Sequence, residues 1–454
     1  KTNKPMINSN LPIAIIGLGK TGLSVAKYLK KNDKEFLCYD TRSKLKITKE
    51  IKKYINEKNI ILGEFKESYV ENHDNFIISP GINLSSYLLS EIKRKGKNIQ
   101  TDIDIFNEKK RNNVICITGS NGKTTVTLII EYILKGLGKN AKAGGNIGLP
   151  ALELLENNYE YNILELSSFQ LEMTKEIVSR SSLITNITPD HLDRHKTFEN
   201  YANIKHKIFK NSCNIIVNLS DENIRKEELI YKYSFGVKKE NNNSGFLVGT
   251  ENGVSYIYKH QKKLISEKDI LLIGNHNLIN ICAALAVIDS LNLNIEKSIN
   301  IIKNFKSIEH RMENFYKSEN LIWINDSKST NIDSTISAVR SLKDKVILIL
   351  GGRSKTNDYK KLESAIYNNV ETLILFGECK KLLKENIKSV KKTIIAEDLN
   401  EAINISRECA DNIGKTHDGN INIILSPACS SFDMFISYEE RGNFFKKSVL
   451  NTYR

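Results

Sequence analysis

A lysine and two threonines directly follow a glycine-rich turn that lies just after the first quarter of the chain. The turn, Gly119-Ser-Asn-Gly122, comes after Val114-Ile-Cys-Ile-Thr118, a short apolar run that is typical of a buried parallel strand. Behind the turn, apolar residues recur at helical spacing from Val126 to Leu134. Backbone N–H groups of such a turn, together with the helix dipole, bind phosphate. Lys123 can reach terminal phosphates and Thr124 can complete a Mg²⁺ shell, so the stretch predicts an ATP site. An ordinary strand-to-helix turn is the alternative.

Charged side chains also stand where later predicted strands end. Glu165 lies at the end of an apolar strand, and an acid beside a phosphate loop is a candidate Mg²⁺ ligand. His191, with Asp190 beside it, follows the next strand, although a lone histidine is more often structural. Lys205 falls on a helix predicted over residues 199–210 and, taken alone, would be assigned to the solvent-exposed surface.

The first segment carries a second glycine turn. The strand Pro12-Ile-Ala-Ile-Ile-Gly17 runs into Gly17-x-Gly19-x-x-Gly22, and Asp40 ends the next predicted strand. This pattern places glycines at a pyrophosphate and an acid at a ribose, so taken alone it predicts NAD binding. Asp40-Thr-Arg42 could equally hold the uracil or ribose end of another nucleotide. The turn Ser79-Pro-Gly81 follows a third strand, at the edge where open α/β sheets bind ligands.

The last third of the chain places basic residues in turns that follow strands. Arg311, Lys328, Arg353 and Lys355 stand in such turns among serines, glycines and asparagines. Those small polar residues favour turns on their own, but four cations exceed what turn formation requires. The pattern therefore indicates a further region that binds anionic groups.

The composition is that of a globular chain. Of 454 residues, 40% are hydrophobic and 26% are charged. The lysines behind the net charge of +14 are spread along the chain, which argues against a nucleic-acid partner.

Seven cysteines without a C-x-x-C pair argue against disulfides and structural zinc, and most are expected to be buried and reduced. No apolar run reaches the roughly 20 residues of a membrane span. The polar stretch Lys1–Asn10 lacks a signal-peptide core, so we expect a cytoplasmic protein.

Alternating strands and helices predict an α/β fold of three domains. We expect a Rossmann-like domain at 1–109, a central P-loop domain with a mostly parallel sheet at 110–305, and a C-terminal Rossmann-like domain at 306–454. Three short β-rich pieces between Tyr233 and Tyr258 are predicted to form a small antiparallel flank of the central sheet. The third domain is expected to swing about a linker at 304–307.

Together these motifs resemble those of the Mur ligase family of peptidoglycan synthesis, over nearly the whole chain. The most discriminating are Asn325-Asp-Ser-Lys-Ser-Thr-Asn331, where other branches of the family differ, and Leu425-Ser-Pro-Ala-Cys-Ser-Ser431 with Asp433. The other matches are Gly17-Leu-Gly-Lys-Thr-Gly22, Ser79-Pro-Gly-Ile82, Thr118-Gly-Ser-Asn-Gly-Lys-Thr-Thr125, Gly144-Gly-Asn-Ile-Gly148, Leu164-Glu-Leu-Ser-Ser-Phe-Gln-Leu-Glu172, Asp190-His-Leu-Asp-Arg194, Tyr201 with Lys205, His276-Asn277 with Asn280, and His310-Arg311.

The resemblance implies an ATP-dependent ligase that adds D-glutamate to UDP-N-acetylmuramoyl-L-alanine. The γ-phosphoryl group of ATP would activate the carboxylate as an acyl phosphate, which the amine attacks through a tetrahedral intermediate, releasing ADP and phosphate. Phosphoryl transfer between anions requires cations, and the resemblance implies Lys123 and two Mg²⁺ ions. Thr124 and Glu165 would hold one ion, and His191 with a CO₂-derived carbamate on Lys205 would hold the other. An unmodified ammonium at Lys205 would repel the metal.

The resemblance also implies which residues bind each substrate. The ATP contacts would be Gly119, Ser120, Asn121, Gly122, Lys123, Thr124, Thr125, Asn280, Arg311, Asp326 and Lys328. The contacts of the UDP-linked substrate would be Thr21, Asp40, Thr41, Arg42, Ser79 and Gly81, with Asn146, Ser167 and His191 bordering the reacting carboxylate. The D-glutamate contacts would be Thr330, Lys355, Ser431 and the stretch Phe432 to Tyr438.

Two positions depart from the family pattern. Arg353-Ser354 replaces a small Asp-Gly-type pair and adds a cation near the expected amino-acid site, and Tyr438 stands where phenylalanine is frequent. Both changes bear on the affinity for D-glutamate and leave the implied reaction intact.

Other functions remain open on the sequence alone. An NAD-dependent oxidoreductase would explain the first glycine turn but not Gly122-Lys-Thr124. A P-loop protein that only binds or hydrolyses ATP would leave the polar strand ends of the last third unexplained. Within the ligases, another Mur ligase or a folylpolyglutamate synthetase is the neighbouring reading. We expect a monomer without nucleic-acid or membrane partners.

Overall fold

A computed structural model describes residues 10–453, except 46, 83–85, 225–228, 240–243, 273, 307–308, 343 and 357, and it omits the side chains of 86–88. Most of the polar N-terminal stretch, and residue 307 of the expected linker, therefore lie outside the described residues. Contacts divide the chain into two compact units. The first comprises Lys1–Leu247, Tyr258–Leu264 and Asn280–Ile302, and the second comprises Val248–Ile257, Ile265–Ile279 and Lys303–Arg454.

The first sheet has five parallel strands in the order β3-β2-β1-β4-β5. Its central strands consist of buried apolar residues, as parallel sheets covered on both faces require. The glycine turn after β1 is tight, because a Cβ atom at Gly22 would overlap the carbonyl group of Gly17. The elements are β1 Ile13–Ile16, α1 Lys20–Lys31, β2 Phe36–Asp40, α2 Lys49–Tyr54, β3 Ile60–Leu62, β4 Asn75–Ile78, α3 Ser86–Arg94, β5 Asn98–Gln100 and α4 Asp102–Lys109.

The second sheet has nine strands in the order β14-β13-β12-β11-β10-β9-β6-β8-β7. From β11 to β7 in this order, each strand pairs in parallel with the next. The strands are β6 Val114–Thr118, β7 Ala141–Gly145, β8 Tyr161–Glu165, β9 Val178–Ile184, β10 Asn211–Asn218, β11 Tyr233–Val237, β12 Phe246–Glu251, β13 Val254–Lys259 and β14 Lys262–Ser266. The helices are α5 Lys123–Gly136, α6 Ser168–Met173, α7 Leu192–His195, α8 Phe198–His206, α9 Asn275–Ser290 and α10 Ile295–Ile302.

The predicted flank of short strands is confirmed at the edge of the second sheet. Strands β12 and β13 are neighbours joined by the two-residue turn Asn252-Gly253, whose φ values of +50° and +76° suit a tight hairpin. The first of the three pieces, Tyr233–Val237, lies between β10 and β12 and pairs in parallel with β10, so it borders the parallel part of the sheet. The pairing partner of this strand depends on β10, so its own short sequence does not show whether it pairs in parallel or antiparallel.

The third sheet has six strands in the order β15-β16-β20-β17-β18-β19, of which β15 is antiparallel and the others are parallel. Two separate groups of buried apolar side chains lie in this unit, one of them around Trp323. The elements are β15 Glu313–Ser318, β16 Leu321–Asn325, α11 Ile332–Arg340, β17 Lys345–Gly351, α12 Lys360–Ile366, β18 Val370–Phe376, α13 Lys380–Asn386, β19 Lys392–Ile395, α14 Leu399–Gly414, β20 Ile421–Leu425 and α15 Tyr438–Thr452.

The predicted three-part α/β architecture is therefore confirmed at the level of sheets. None of the helices formed by the described residues is long and apolar enough to cross a membrane. All seven cysteines are free, and Cys213 is the exposed exception to the predicted burial.

Candidate active site

The predicted phosphate loop joins β6 to α5. Gly119 and Gly122 have φ values of +147° and +83°, which L-residues with side chains rarely adopt. The N–H groups of Ser120 and Asn121 donate to the main-chain and side-chain oxygens of Asn186, at 2.8 and 2.9 Å. The first N–H groups of α5 have no partner within the helix. The N–H groups at the helix N-terminus, where Lys123, Thr124 and Thr125 lie, are therefore the expected phosphate donors of this loop. A Cβ atom at position 122 would lie 2.6 Å from the side-chain oxygen of Asn280 in α9.

Two lysines converge on this loop from different helices. Nζ of Lys123 donates to the carbonyl oxygens of Gly119 and Ser120 at 2.8 and 2.9 Å. Nζ of Lys205, on α8, donates to the carbonyl oxygen of Gly119 at 2.8 Å. Lys205 is only 1% exposed, so the surface location that its sequence context suggests is wrong. Burial, and secondly the charge of Lys123, hold the pKa of Lys205 well below its usual value.

Glu165 ends β8 and is buried beside the phosphate loop. Its Oε1 accepts a hydrogen bond from Nδ2 of Asn146 at 2.9 Å. Its Oε2 is buried and has no hydrogen-bond partner among the described residues. A buried carboxylate oxygen without a partner carries a desolvation cost, which a cation would offset. Asn146 also donates its N–H to the carbonyl oxygen of Glu165 at 2.8 Å, which fixes the loop after β7 against the end of β8.

His191 immediately precedes α7 in a left-handed conformation with φ of +54°. Its Nε2 lies 3.6 Å from Oδ2 of Asp190, and its ring packs 4.8 Å from the ring of Phe169. Ser167, predicted to border the substrate, caps α6 through a reciprocal bond with Gln170. The side chain of Ser167 thus has a structural role in this state.

The predicted metal ligands fit a cation, because Oε2 of Glu165 is a buried carboxylate oxygen beside the phosphate loop without a hydrogen-bond partner among the described residues. In the part of the chain that the structure describes, His, Cys, Asp and Glu side chains do not gather in metal-binding groups of three or more. The predicted set contains one carboxylate and one imidazole. A metal there would consequently rely on hydroxyl, carbamate and substrate oxygens for its other ligands.

In the first sheet, Asp40 holds the turn that follows β1. Its carboxylate accepts from the N–H of Leu18 at 2.8 Å and from two guanidinium nitrogens of Arg42, each at 2.7 Å. Burial opposes ionisation of Asp40, but the bonds from Arg42 and Leu18 outweigh it and lower the pKa. Ser79 donates to the carbonyl oxygen of Gly17 at 2.9 Å. Thr21 lies in the first turn of α1, while Thr41 and Gly81 are exposed beside this cluster.

In the second unit, Asp326 is buried at the end of β16. Its carboxylate accepts from the N–H of Met312 at 3.1 Å and from the hydroxyl of Ser426 at 2.7 Å. Burial raises the pKa of Asp326 to about 6. Arg311 is half-buried and close enough to His276 to help burial lower the pKa of that histidine to about 4.

Lys328 follows Asp326 in the same loop. Its N–H donates to the carbonyl oxygen of His310 at 3.1 Å, and its Nζ lies 3.7 Å from the ring centre of Tyr438. Such a cation–π contact orients the ammonium group. The aromatic ring at position 438 therefore has a structural partner. Thr330 lies in the same loop, and its N–H donates to the carbonyl oxygen of Lys328 at 2.8 Å.

Apart from Thr330 and Tyr438, the residues predicted to bind D-glutamate occupy the loops after β17 and β20 of the second unit. The main-chain N–H and C=O groups of Arg353 and Ser430 exchange hydrogen bonds of 2.9 and 3.0 Å, which tie the loops together. Lys355 is exposed, Ser431 is buried, and Phe432 is 65% exposed. The added cation of Arg353 is paired with Glu378 at 2.9 Å, which reduces its effect on this region.

Sequence reasoning missed Arg441, the buried arginine of α15. Its guanidinium donates to the hydroxyl and carbonyl oxygens of Ser327 at 3.0 and 2.8 Å. It also donates to the carbonyl oxygen of Cys429 at 3.3 Å. Arg441 therefore links the loop that carries Asp326 and Lys328 to the loop that carries Ser431. Its neighbours Glu439 and Glu440 make this part of the sequence look like a solvated helix face.

Family comparisons agree with this arrangement. Residues 12–101 match the Mur ligase MurD-like N-terminal domain, residues 117–288 match the Mur ligase middle domain, and residues 310–414 match the Mur ligase glutamate ligase domain. The chain belongs to the Mur ligase family.

Within that family, the chain is similar to enzymes named UDP-N-acetylmuramoylalanine–D-glutamate ligase. It is 34% identical to the one from Legionella pneumophila, with 96% of this chain and 98% of the relative covered. It is 35% identical to the one from Coxiella burnetii over the same shares. It is 33% identical to the one from Marinobacter nauticus, with 98% and 99% covered.

Solved structures show the same fold. The chain resembles the UDP-N-acetylmuramate-alanine ligase of Thermotoga maritima with a TM-score of 0.61 and 18% identity, covering 98% of this chain and 99% of that one. It resembles the MurF ligase of Thermotoga maritima, solved in complex with ADP, with a TM-score of 0.58 and 17% identity, covering 98% and 96%.

Proposed function

We propose that this protein is an ATP-dependent ligase that joins D-glutamate to the carboxylate of UDP-N-acetylmuramoyl-L-alanine. The observation that carries the proposal is the similarity to D-glutamate ligases over 98% of their length. The buried pair of Glu165 and Lys205 beside the phosphate loop supports it chemically, because an NAD-dependent oxidoreductase has no need of that arrangement.

The residues of the chain have distinct parts in this reaction. The N-terminus of α5 and Lys123 hold the phosphates of ATP and stabilise charge as the γ-phosphoryl group moves to the carboxylate. Asn146 and Ser167 border that carboxylate, and Asn280, Arg311, Asp326 and Lys328 hold ATP. Thr21, Asp40, Thr41, Arg42, Ser79 and Gly81 hold the UDP end. Thr330, Lys355, Ser431, Phe432 and Tyr438 orient the amine of D-glutamate toward the acyl phosphate.

Lys205 acts as a carbamate in this proposal. The neutral amine adds to CO₂, the new N–C bond forms, and one proton leaves, so that the neutral amine becomes an anionic carbamate. The depressed pKa of Lys205 supports the step, because only the unprotonated amine is nucleophilic. Two Mg²⁺ ions, when bound, supply charge stabilisation for phosphoryl transfer. Thr124 and Glu165 would hold one ion, and His191 and the carbamate would hold the other.

The cellular location, the oligomeric state and the domain motion that we propose follow from the same reaction. ATP and a UDP-linked precursor are cytoplasmic metabolites, so we place the enzyme in the cytoplasm and propose that it acts as a monomer. Domain boundaries after residues 109 and 305, with closure about residues 304–307, would shield the acyl phosphate from water. Small-angle scattering with nucleotide and substrates should then show compaction, and an unchanged profile would argue against closure.

The test is phosphate release with UDP-N-acetylmuramoyl-L-alanine and ATP, while the amino acid is varied. D-glutamate should give ADP in step with a new amide bond, whereas L-glutamate, L-alanine and a diamino acid should not. A preference for another amino acid would identify a different Mur-type ligase. Phosphate release without any amide product would indicate a simple ATPase.

A further inference from the structure

Two free cysteines of the second unit lie directly against each other. The Sγ atoms of Cys379 and Cys429 are 3.3 Å apart, although 50 residues separate them in the chain. Cys379 stands between β18 and α13, and Cys429 lies in the loop after β20. Both side chains are buried, so their neighbours hold them in this arrangement.

Polar groups surround the pair in a way that favours thiol chemistry. The hydroxyl of Tyr359 lies 3.2 Å from Sγ of Cys429, and the guanidinium of Arg441 donates to the carbonyl oxygen of the same residue. The hydrogen bond with Cys379, together with Tyr359 and Arg441, lowers the pKa of Cys429 against the effect of burial. A thiolate is the reactive form of cysteine toward peroxides and disulfides.

We propose that Cys379 and Cys429 form a reversible disulfide that controls the loop carrying Ser431. With hydrogen peroxide as oxidant, one thiolate attacks a peroxide oxygen, which gives a sulfenic acid and, with one proton, water. The second thiol attacks the sulfenic sulfur and releases a second water molecule. The two thiols thus lose two electrons and two protons to the peroxide, and added dithiol reverses the change.

The bond would move the loop, and this consequence rests on the proposed function. A disulfide needs its sulfur atoms about 2.05 Å apart, so the two sulfur atoms must approach each other by about 1 Å, and we expect the loop after β20 to follow. Cys429 lies two residues before Ser431, and Ser430 is paired with Arg353. A displacement of that size at a substrate-positioning loop lowers activity by about 10–100-fold. Oxidation should therefore lower the reaction rate mainly by weakening the binding of D-glutamate.

The test compares the full-length protein with Cys379→Ala, both carrying Cys213→Ser to remove the exposed thiol. Each is treated with hydrogen peroxide and then digested with trypsin without reduction. The oxidised parent should yield a linked pair of peptides, residues 362–380 with 416–441, at a mass lower by two hydrogen atoms. Its ligase activity should fall about 10–100-fold and return with dithiothreitol, while Cys379→Ala keeps its activity.

Each outcome bears on a separate part of the proposal. Absence of the linked peptides after peroxide treatment overturns the disulfide. A mapped disulfide without loss of activity, or an equal loss in Cys379→Ala, overturns its control of the loop. If the reduced parent lacks ligase activity, the proposed function fails, and the peptide map still decides whether the disulfide forms.

Discussion

The amino groups of Lys123 and Lys205 share one acceptor, the carbonyl oxygen of Gly119, and each nitrogen lies 2.8 Å from it. Two ammonium groups at one oxygen repel each other, and Lys205 is also buried. Both effects drive Lys205 toward the neutral amine. The structure thus distinguishes two identical side chains: Lys123 lies in the first turn of α5, whereas Lys205 is buried on α8 with a depressed pKa.

The first prediction concerns the carbamate on Lys205. Lys205→Ala should lower ligase activity by about 10²–10³-fold, the usual cost of losing one group that stabilises charge in a transition state. Short carboxylic acids should restore part of the activity to the variant, because they supply the missing carboxylate. The parent enzyme should lose activity in CO₂-depleted buffer and regain it with bicarbonate.

Lys210→Ala is the matched control, since Lys210 is exposed shortly after α8. It should remain fully active and indifferent to added carboxylic acids. If Lys205→Ala were as active as Lys210→Ala with or without CO₂, Lys205 would have no part in the reaction.

The second prediction concerns stability and pH. Because the pKa of Lys205 lies well below 10.5 in the folded protein, the unfolded chain binds more protons between those two values. The free energy of unfolding therefore rises with pH across that window, by on the order of 1 kcal/mol per pH unit for this one group. Lys205→Met should remove that contribution. The variant should be more stable than the parent at pH 7, because it lacks the buried amine. Melting temperatures in CO₂-free buffer at pH 7 and pH 9 should show that this difference becomes smaller as the pH rises. Parallel pH profiles of parent and variant would show that Lys205 is protonated in the folded state.

Local sequence patterns were enough to predict the main parallel strands, the glycine turns and the position of Glu165 at a strand end, because continuous apolar runs and strand-end polarity are local properties. The burial of Lys205 was not predictable from its neighbours, because it depends on β6 and α8 meeting at Gly119. The buried position of Arg441 and the contact between Cys379 and Cys429 were not predictable for the same reason. Each joins segments far apart in the chain, and a single sequence taken by itself carries no signal of such pairing.

The third prediction concerns the unpartnered oxygen of Glu165. Glu165→Gln keeps an acceptor for Asn146 but removes the buried negative charge. The Mg²⁺ concentration for half-maximal activity should rise at least by the roughly 10–100-fold that follows loss of an outer-shell partner. Without Mg²⁺, the melting temperature of the variant should equal or exceed that of the parent, because an uncompensated charge is gone.

Glu160→Gln serves as the comparison, because Glu160 lies near the surface and pairs with Lys139 at 3.0 Å. Its magnesium dependence should match that of the parent. An identical magnesium titration for Glu165→Gln and Glu160→Gln would exclude Glu165 as a ligand.

The fourth prediction concerns Arg441 as a positioning residue. Arg441→Lys keeps the charge but cannot reach both Ser327 and Cys429, because an ammonium lacks the planar fork of donors. The loss of these charged hydrogen bonds should cost about 2–3 kcal/mol of stability. KM should rise for ATP and for D-glutamate, because the two linked loops carry Lys328 and Ser431. KM for the UDP-linked substrate should stay unchanged, because its proposed contacts lie in the first unit.

This split in KM separates positioning from mere support of the fold. A purely structural role would lower the melting temperature and the active fraction, and thus kcat, while all three KM values stayed level. Arg407→Lys provides the control, since Arg407 is exposed and its guanidinium reaches only the carbonyl oxygen of Thr452 at 3.4 Å among the hydrogen bonds described. Equal KM values for ATP and D-glutamate in the two variants would show that the link through Arg441 does not set the geometry of either loop.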